Sequence, residues 1–400
     1  MRTYRELFRS PEFTPLFATS TAQVAATTVS GLGLGTLVFT ATGSPFLSAV
    51  SMFGPSLVQM AGAATLLSAA DRLPPRAATT GVALASSAGT AALAIPGLPG
   101  WAIVAVIVGL GLVASVGGGV RFGLLGEILP KDGYLLGRSV LNMANGTTQV
   151  IGFALGAALV ATLTPRGALL TGALLYLTAA LVAYRRLAPR PPRDPGRPSI
   201  ARTWRVNARL WSSAPRRHLY LALWVPNGLV VGCEALFVPY TPHHAGLLLA
   251  VAALGMLAGD TLAGRFIPPR WRPRLGPSLR LLLGVPYLVF AFDPGPVVAA
   301  VAVFVASIGY SASLLLQERL MAITPDDLQG QALGLHSSGT LAFQGIAAAL
   351  AGTVAQHTSP ATGIVAMAVA SIAVTLALAP GLRTGRPEHA VRHVPESGRL

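Results

Sequence analysis

Long apolar runs alternate with short polar, proline- or glycine-rich breaks along the whole chain, and the length of the runs is the first clue to its architecture. A helix needs about 20 apolar residues to cross a hydrocarbon layer about 30 Å thick. On that criterion the first half predicts spans at 13–41, 45–69, 77–95, 101–129, 139–163 and 167–184. The second half predicts spans at 218–241, 245–267, 277–292, 296–322, 330–356 and 360–380. The remainder divides into a short amphipathic lead-in over 1–12, a linker over 187–217 and a polar tail over 383–400 that reads as disordered. The expected domains are therefore a six-helix bundle over 13–186 and a second over 218–382. Within the linker, Ile200 to Trp211 predicts an amphipathic surface helix.

Composition agrees with an all-α integral membrane protein. Hydrophobic residues make up 52% of the 400, charged residues only 11%, and the mean hydropathy is +0.61. A net charge of +15 raises nucleic acid as a partner, but the arginines cluster between apolar runs rather than along one face or among aromatics. Topology accounts for them. Ten fall between Arg185 and Arg217, and nearly all the others lie at the ends of even-numbered spans or in the termini, which puts both chain ends in the cytoplasm. This is the pattern of a bacterial inner-membrane protein in contact with lipid and expected to function as a monomer. Cys233 is the sole cysteine, which excludes an intramolecular disulfide, and the first apolar run is too long for a removed signal peptide.

A charged turn occurs twice. Asp71-Arg72-Leu73-Pro74-Pro75-Arg76 is echoed by Gly264-Arg265-Phe266-Ile267-Pro268-Pro269-Arg270, with Arg72 and Arg265 193 residues apart. Glu127-Ile128-Leu129-Pro130 is echoed by the stretch from Glu318 to Pro325, with the prolines 195 residues apart. Two matches at nearly one offset indicate duplicated halves. At these residues the chain resembles the major facilitator superfamily, whose loop between spans two and three reads Gly-x-Leu-Ala-Asp-Arg-x-x-Arg-Arg; Leu67 stands here at the leading glycine. The resemblance implies twelve transmembrane helices in two pseudo-symmetric six-helix bundles. It also implies a gate, in which Glu127 and Glu318 pair with Arg72/Arg76 and Arg265/Arg270, and Asp71 faces the start of span eleven. Gly152-Phe153-Ala154-Leu155-Gly156-Ala157 is similar to the Gly-Pro-x-x-Gly-Gly motif of the superfamily's antiporters, with Phe153 in place of proline, so Gly152 and Gly156 are expected to form a helix contact.

Catalytic apparatus is not apparent. The only lysine, Lys131, follows Pro130 and cannot complete a nucleotide-binding Gly-x-x-x-x-Gly-Lys loop. There is no His-Glu-x-x-His, cysteine cluster or Gly-x-Ser-x-Gly, and His243-His244 reads as a solvated pair rather than a metal site. An enzyme, a cofactor and a bound metal are therefore not expected. Transport requires less, namely a cavity between two bundles and a group whose charge changes. Span seven places Pro226-Asn227-Gly228 and Pro239 on either side of Glu234, which predicts an interrupted helix at the working site.

Glu234 has no arginine near it in sequence, and desolvation there favours a neutral carboxyl that exchanges protons. Asp260 in span eight is the second candidate for coupling. The alternatives are that Glu234 bonds another helix's carbonyl, and that Asp260 pairs with Arg265 or braces the start of span five. Candidate cavity residues are Gln23, Asn142, Asn145, Gln149, Asn227, Tyr310, His336 and Gln344, with Arg121 as the one intramembrane cation; a helix-packing role suits each of them as well. So neutral a lining predicts a small lipophilic cargo exported against protons. Uptake by proton symport, outward lipid flipping, and a non-transporting receptor or scaffold are the alternatives.

Overall fold

The structure, a computed structural model, describes residues 4–70, 73–192, 200–266, 268, 271–325 and 328–384. Asp71, Arg72 and Arg270 of the expected gate lie outside them, as does the tail from 385. The described elements are helical throughout. A short α1 (Tyr4–Phe8) precedes α2 (Phe13–Thr42), α3 (Pro45–Ala70), α4 (Pro75–Leu93), α5 (Gly100–Ile128), α6 (Lys131–Leu163) and α7 (Pro165–Arg186). The linker helix α8 (Ile200–Ser212) follows, then α9 (Ala214–Ala235), α10 (Phe237–Tyr240), α11 (Ala245–Arg265), α12 (Arg272–Leu282), α13 (Pro296–Ile308), α14 (Ala312–Ala322), α15 (Gln329–His357) and α16 (Pro360–Thr384).

Local chemistry sets these boundaries. Pro45, Pro75, Pro165, Pro296 and Pro360 each open a helix, where the missing N–H costs nothing and φ is already helical. Gly43 ends α2 in the left-handed region at φ 65°, with its N–H on the Phe39 carbonyl. Among the described residues ten helical segments are long and apolar enough to cross a membrane. α3 and α4 pack between them, α3 against α5 and α4 against α7.

The helices form two lobes. α2 to α7 pack on one another, with α2 against α7 and α6, and α9 packs against α15 and α16 while α11 packs against α13. The lobes meet along two seams, α3 with α15 and α6 with α11. The described ends of the chain and of the linker lie at one face, called here the linker face: Leu7 packs with Leu129 and Leu187, and the Arg319 guanidinium donates to the Leu382 carbonyl at 2.7 Å. At the opposite, far face the lobes touch. The Ser44 hydroxyl donates to Gln356 Oε1 at 2.7 Å, and a Cβ on Gly352 would stand 2.8 Å from the Phe46 backbone.

Span seven departs from the sequence expectation. α9 runs without a break through Pro226-Asn227-Gly228, and the interruption comes only at Leu236, past Glu234. Gly228 serves packing instead, since a Cβ there would approach the Phe343 carbonyl oxygen to 2.7 Å, while the Pro226 carbonyl accepts from the Ser371 hydroxyl at 3.2 Å. The breaks fall in spans nine and ten, as 3-10 segments over Val285–Phe292 and Gly309–Ser311.

Gly228→Val should therefore cost about 1–3 kcal/mol through overpacking. Gly81→Ala, where a Cβ meets nothing within 4 Å, should stabilise by up to about 1 kcal/mol through helix propensity. Thermal unfolding of the two variants in detergent checks the contrast. Equal melting temperatures would show that the α9–α15 contact is loose.

Candidate functional site

The polar residues expected to share one cavity sort into three places. The first is the space between the lobes. On α6, Met143, Ile151 and Leu155 form the exposed apolar stripe, and at about 100° per residue Asn142, Asn145 and Gln149 point to the other side. On α11 the exposed leucines are Leu247, Leu254 and Leu262, and Asp260 lies about 120–160° around the helix from them. Asp260 is nonetheless exposed, so it opens to the inter-lobe space and not to the bilayer side. Among the described residues no ion pair joins Asp260 to Arg265, one of the alternatives for it.

The seam fixes the depth of these residues. Gly246 faces Ala157, and Gly146 faces Leu257 at 3.4 Å. The helices are antiparallel, so Asp260 and the exposed Asn142 sit at one level toward the linker face. Gln344 joins them from α15, on a flank of that helix between Gly345, which faces Leu57 of α3, and Phe343, which faces α9. Four neutral amides and one carboxylate thus line the space between the lobes.

The second place is inside the first lobe, and Arg121 lies there. It lines a small chamber among α2, α4 and α5 with Gln23, Thr19, Ser20 and Thr79. α5 carries it there because Gly117, one turn earlier, lets the helix approach Val82, to which a Cβ would stand 3.3 Å. The expected contact at Gly152 and Gly156 belongs to the same lobe: a Cβ on Gly152 would reach Thr28 at 2.9 Å, and one on Gly156 would reach Leu32 and Val29 at 3.4 Å.

The third place is the second lobe. Glu234 is 7% exposed, and its Oε1 is sealed from solvent with no hydrogen-bond partner among the described residues. Tyr287 and Tyr310, one from each 3-10 segment, lie within electrostatic reach of its carboxyl, as does the adjacent Cys233. The Tyr287 and Ser307 hydroxyls are buried beside each other, neither in a well-formed hydrogen bond. Toward the linker face, the Tyr310 hydroxyl donates to the Asn227 carbonyl at 3.4 Å and Asn227 Nδ2 donates to Ser313 Oγ at 2.8 Å.

His336 lies deeper toward the linker face. Its backbone carbonyl accepts from Trp224 Nε1 at 3.1 Å, and its ring Nδ1 is buried with no hydrogen-bond partner among the described residues. Tyr287, Ser307 and Ser313 were not anticipated. The signal available was a tyrosine beside a helix breaker within an apolar run, Pro286-Tyr287 and Gly309-Tyr310, which acids and amides taken singly do not reveal.

The charged pairs described at the linker face bear on only part of the expected gate, since Arg72 and Arg270 lie outside the described residues. Glu318 pairs with Arg272 at 2.7 Å rather than with Arg265. Glu127 meets Arg190 at 3.5 Å, and the same guanidinium holds Glu12 through two bonds of 2.6 and 3.0 Å. Arg76 lies over the Tyr184 ring at 4.7 Å. α8 forms where expected and docks on the second lobe, with Trp211 stacked on Trp224 at 5.5 Å and Asn207 accepting from Gln331 Nε2 at 2.7 Å.

Comparison with known proteins bears on this arrangement. The family model described as Major Facilitator Superfamily matches residues 16–319. A point mutant of the nucleoside transporter NupG has a TM-score of 0.76 at 12% identity, with 92% of this chain and 99% of that one covered. A POT family transporter in complex with 5-aminolevulinic acid gives 0.75 at 12% identity over 93% and 96%. A bacterial homolog of the human lysosomal transporter Spinster, inward-facing and unoccupied, gives 0.73 at 15% identity over 96% and 99%. At these identities the likeness is one of fold. Among curated proteins none matches the chain in sequence.

Proposed function

The chain belongs to the Major Facilitator Superfamily, and from that premise we propose that it is a proton-coupled exporter of a small lipophilic compound, with Glu234 carrying the proton. The observation that carries this reading is the state of Glu234, a carboxyl buried in the second lobe with one oxygen sealed and unbonded and no cation paired with it among the described residues. A charge held there is costly, about 2.5–3.5 kcal/mol on insertion scales, so the side chain is poised to bind a proton when sealed and to lose it when water arrives. Most buried polar groups are hydrogen-bonded, so an unbonded carboxyl oxygen calls for an explanation, and proton binding supplies one.

Three further features support the reading. The space between the lobes is lined by Asn142, Asn145, Gln149 and Gln344 with Asp260 as the only acid among them, which suits a neutral or weakly basic amphipathic cargo. The lobes touch at the far face, while the polar residues of the seam lie toward the linker face, the geometry of a carrier open on that side. We read that side as cytoplasmic from the basic linker and chain ends, so the cargo would load from within a bacterial cell.

The reading is tested in everted vesicles with compounds drawn from a susceptibility screen of expressing against non-expressing cells. Export against protons predicts that adding the compound alkalinises an acid-loaded lumen. Acidification would indicate symport, and binding without flux would indicate a receptor. Asp260→Asn, which removes the one acid among the inter-lobe residues described above, is expected to weaken transport of a cationic compound about tenfold and to leave a neutral one within about twofold, since one tenfold step is about 1.4 kcal/mol of charge interaction. Equal losses for both compounds would show that Asp260 acts in coupling or gating instead.

A further inference from the structure

Arg280 presents the reverse of the problem met at Glu234. It is 8% exposed, and its Nη1 is sealed from solvent with no hydrogen-bond partner among the described residues. A buried carboxyl can lose its charge by taking up a proton, whereas a guanidinium stays ionised throughout the range in which proteins fold. A cation so placed calls for an opposite charge.

The packing of α12 shows where this cation points. Gly276, one turn before Arg280 on the same face, looks toward α14, since a Cβ there would meet Leu315 at 4.0 Å. On the same side of α12 the Leu279 carbonyl oxygen would stand 2.7 Å from a Cβ on Gly309. Arg280 Nε donates to the Gly276 carbonyl at 3.3 Å, which turns the guanidinium back toward the linker face along the seam between α12 and α14. From α14, Arg319 enters the same seam: it lies one turn after Leu315 and next to Glu318, which meets Arg272 of α12 at 2.7 Å. Arg319 Nη2 also donates to the Leu382 carbonyl of α16 at 2.7 Å, and α16 packs on α12. The two guanidinium groups thus share the wedge among α12, α14 and α16, and they lie within electrostatic reach of each other.

Charge in this wedge does not balance. Among the described residues it holds Arg272, Arg280 and Arg319 against one carboxylate, that of Glu318, and Arg272 already meets it. A trapped water would satisfy an N–H and leave the charge as it is. An oxyanion does both, and the phosphoryl group matches the fork of a guanidinium. Such groups are abundant at this level of the membrane. Trp271 and Arg274 are exposed at the start of α12, the aromatic and basic pair of a membrane surface, and Leu275 and Val285 are exposed farther along the span.

We infer that Arg280 and Arg319 form a binding site for a phosphoryl oxyanion, supplied by an anionic lipid headgroup or by free phosphate at the linker face. The site lies within the second lobe and stands whether or not Glu234 carries the proton. Its occupant would hold spans nine, ten and twelve together at their linker-face ends.

The full chain, purified in neutral detergent and stripped of lipid, is titrated separately with short-chain phosphatidylglycerol, short-chain phosphatidylcholine and inorganic phosphate at constant ionic strength. Native mass spectrometry counts bound lipid, and thermal unfolding reads all three. One phosphatidylglycerol is expected to bind at least tenfold more tightly than phosphatidylcholine, and Arg280→Gln and Arg319→Gln are each expected to abolish that preference. Arg274→Gln should keep it, because Arg274 is exposed and lies over the Trp271 ring at 5.4 Å. Should Arg280→Gln fail to fold, Arg280→Lys retains the charge without the fork and is expected to weaken phosphatidylglycerol severalfold. Stabilisation by phosphatidylglycerol alone assigns the headgroup as occupant, and stabilisation by inorganic phosphate assigns a site open to the free anion. Wild-type protein stabilised by neither, or an equal loss in Arg274→Gln and Arg280→Gln, overturns the site.

Discussion

Glu234→Gln is expected to abolish accumulation driven by a proton gradient while leaving gradient-free exchange of the same compound within a few-fold of wild type. The amide has the size of the protonated acid and none of its ability to ionise. The transporter is then held in the form that has already bound its proton. Steps that require only that form continue, and steps that require proton release stop. Driven flux should fall at least a hundredfold, because no other described carboxyl in the second lobe is similarly sealed.

Thermal stability supplies a second, independent readout of the same substitution site. An unbonded polar atom in the interior costs about 1–3 kcal/mol, so Glu234→Met, which replaces the carboxyl with an apolar chain of similar length, should raise the melting temperature while eliminating driven transport. Loss of activity with gain of stability is what a site kept for function predicts. Driven flux at the wild-type rate in Glu234→Gln would remove this residue from the coupling scheme, whatever its effect on stability.

The second large effect is expected at the far-face seam. A Cβ on Gly246 would come within van der Waals overlap of the Ala157 Cβ and 2.9 Å from Leu32, so Gly246→Leu cannot be accommodated while the lobes touch there. Overpacking of about 1–3 kcal/mol, set against an equilibrium in which about 1.4 kcal/mol is tenfold, should shift the population about tenfold or more toward a form open at the far face. Transport should fall in proportion, since a carrier that cannot close one gate cannot cycle.

The chain is well suited to the measurement, because its only cysteine, Cys233, is buried. A cysteine placed at Met52, which packs where the lobes meet, reports opening by its rate of labelling with a membrane-impermeant thiol reagent. Labelling is expected to rise about tenfold in the Gly246→Leu background. Unchanged labelling together with normal transport would show that the contact is not a gate.

How much of this was legible beforehand follows from the range over which each feature is decided. Helix positions are local, set by apolar run length and by prolines and glycines at the ends. The run read as 13–41 is the helix Phe13–Thr42, the one read as 330–356 is Gln329–His357, and the linker stretch ending at Trp211 forms a helix from Ile200. The polar face of Asn142, Asn145 and Gln149 follows from a spacing of three and four residues. The isolation of Glu234 was also foreseeable, because no basic residue lies near it in sequence.

What remained was decided between segments distant in the chain. A glycine after a proline reads as a breaker, yet Gly228 is a contact surface for Phe343, and nothing in the neighbouring sequence distinguishes the two uses. Arg121 looks like a cavity cation until the packing of α2 and α4 encloses it in the first lobe. Glu318 could have met any of several arginines, and the packing of α12 on α14 selected Arg272. The order of residues was enough to say where the long apolar helices run and which of their faces are polar, because both properties depend on neighbours within one helical turn. Which polar groups meet, and whether Glu234 is sealed from solvent, depends on how helices from separate parts of the chain pack, and that is settled only in three dimensions.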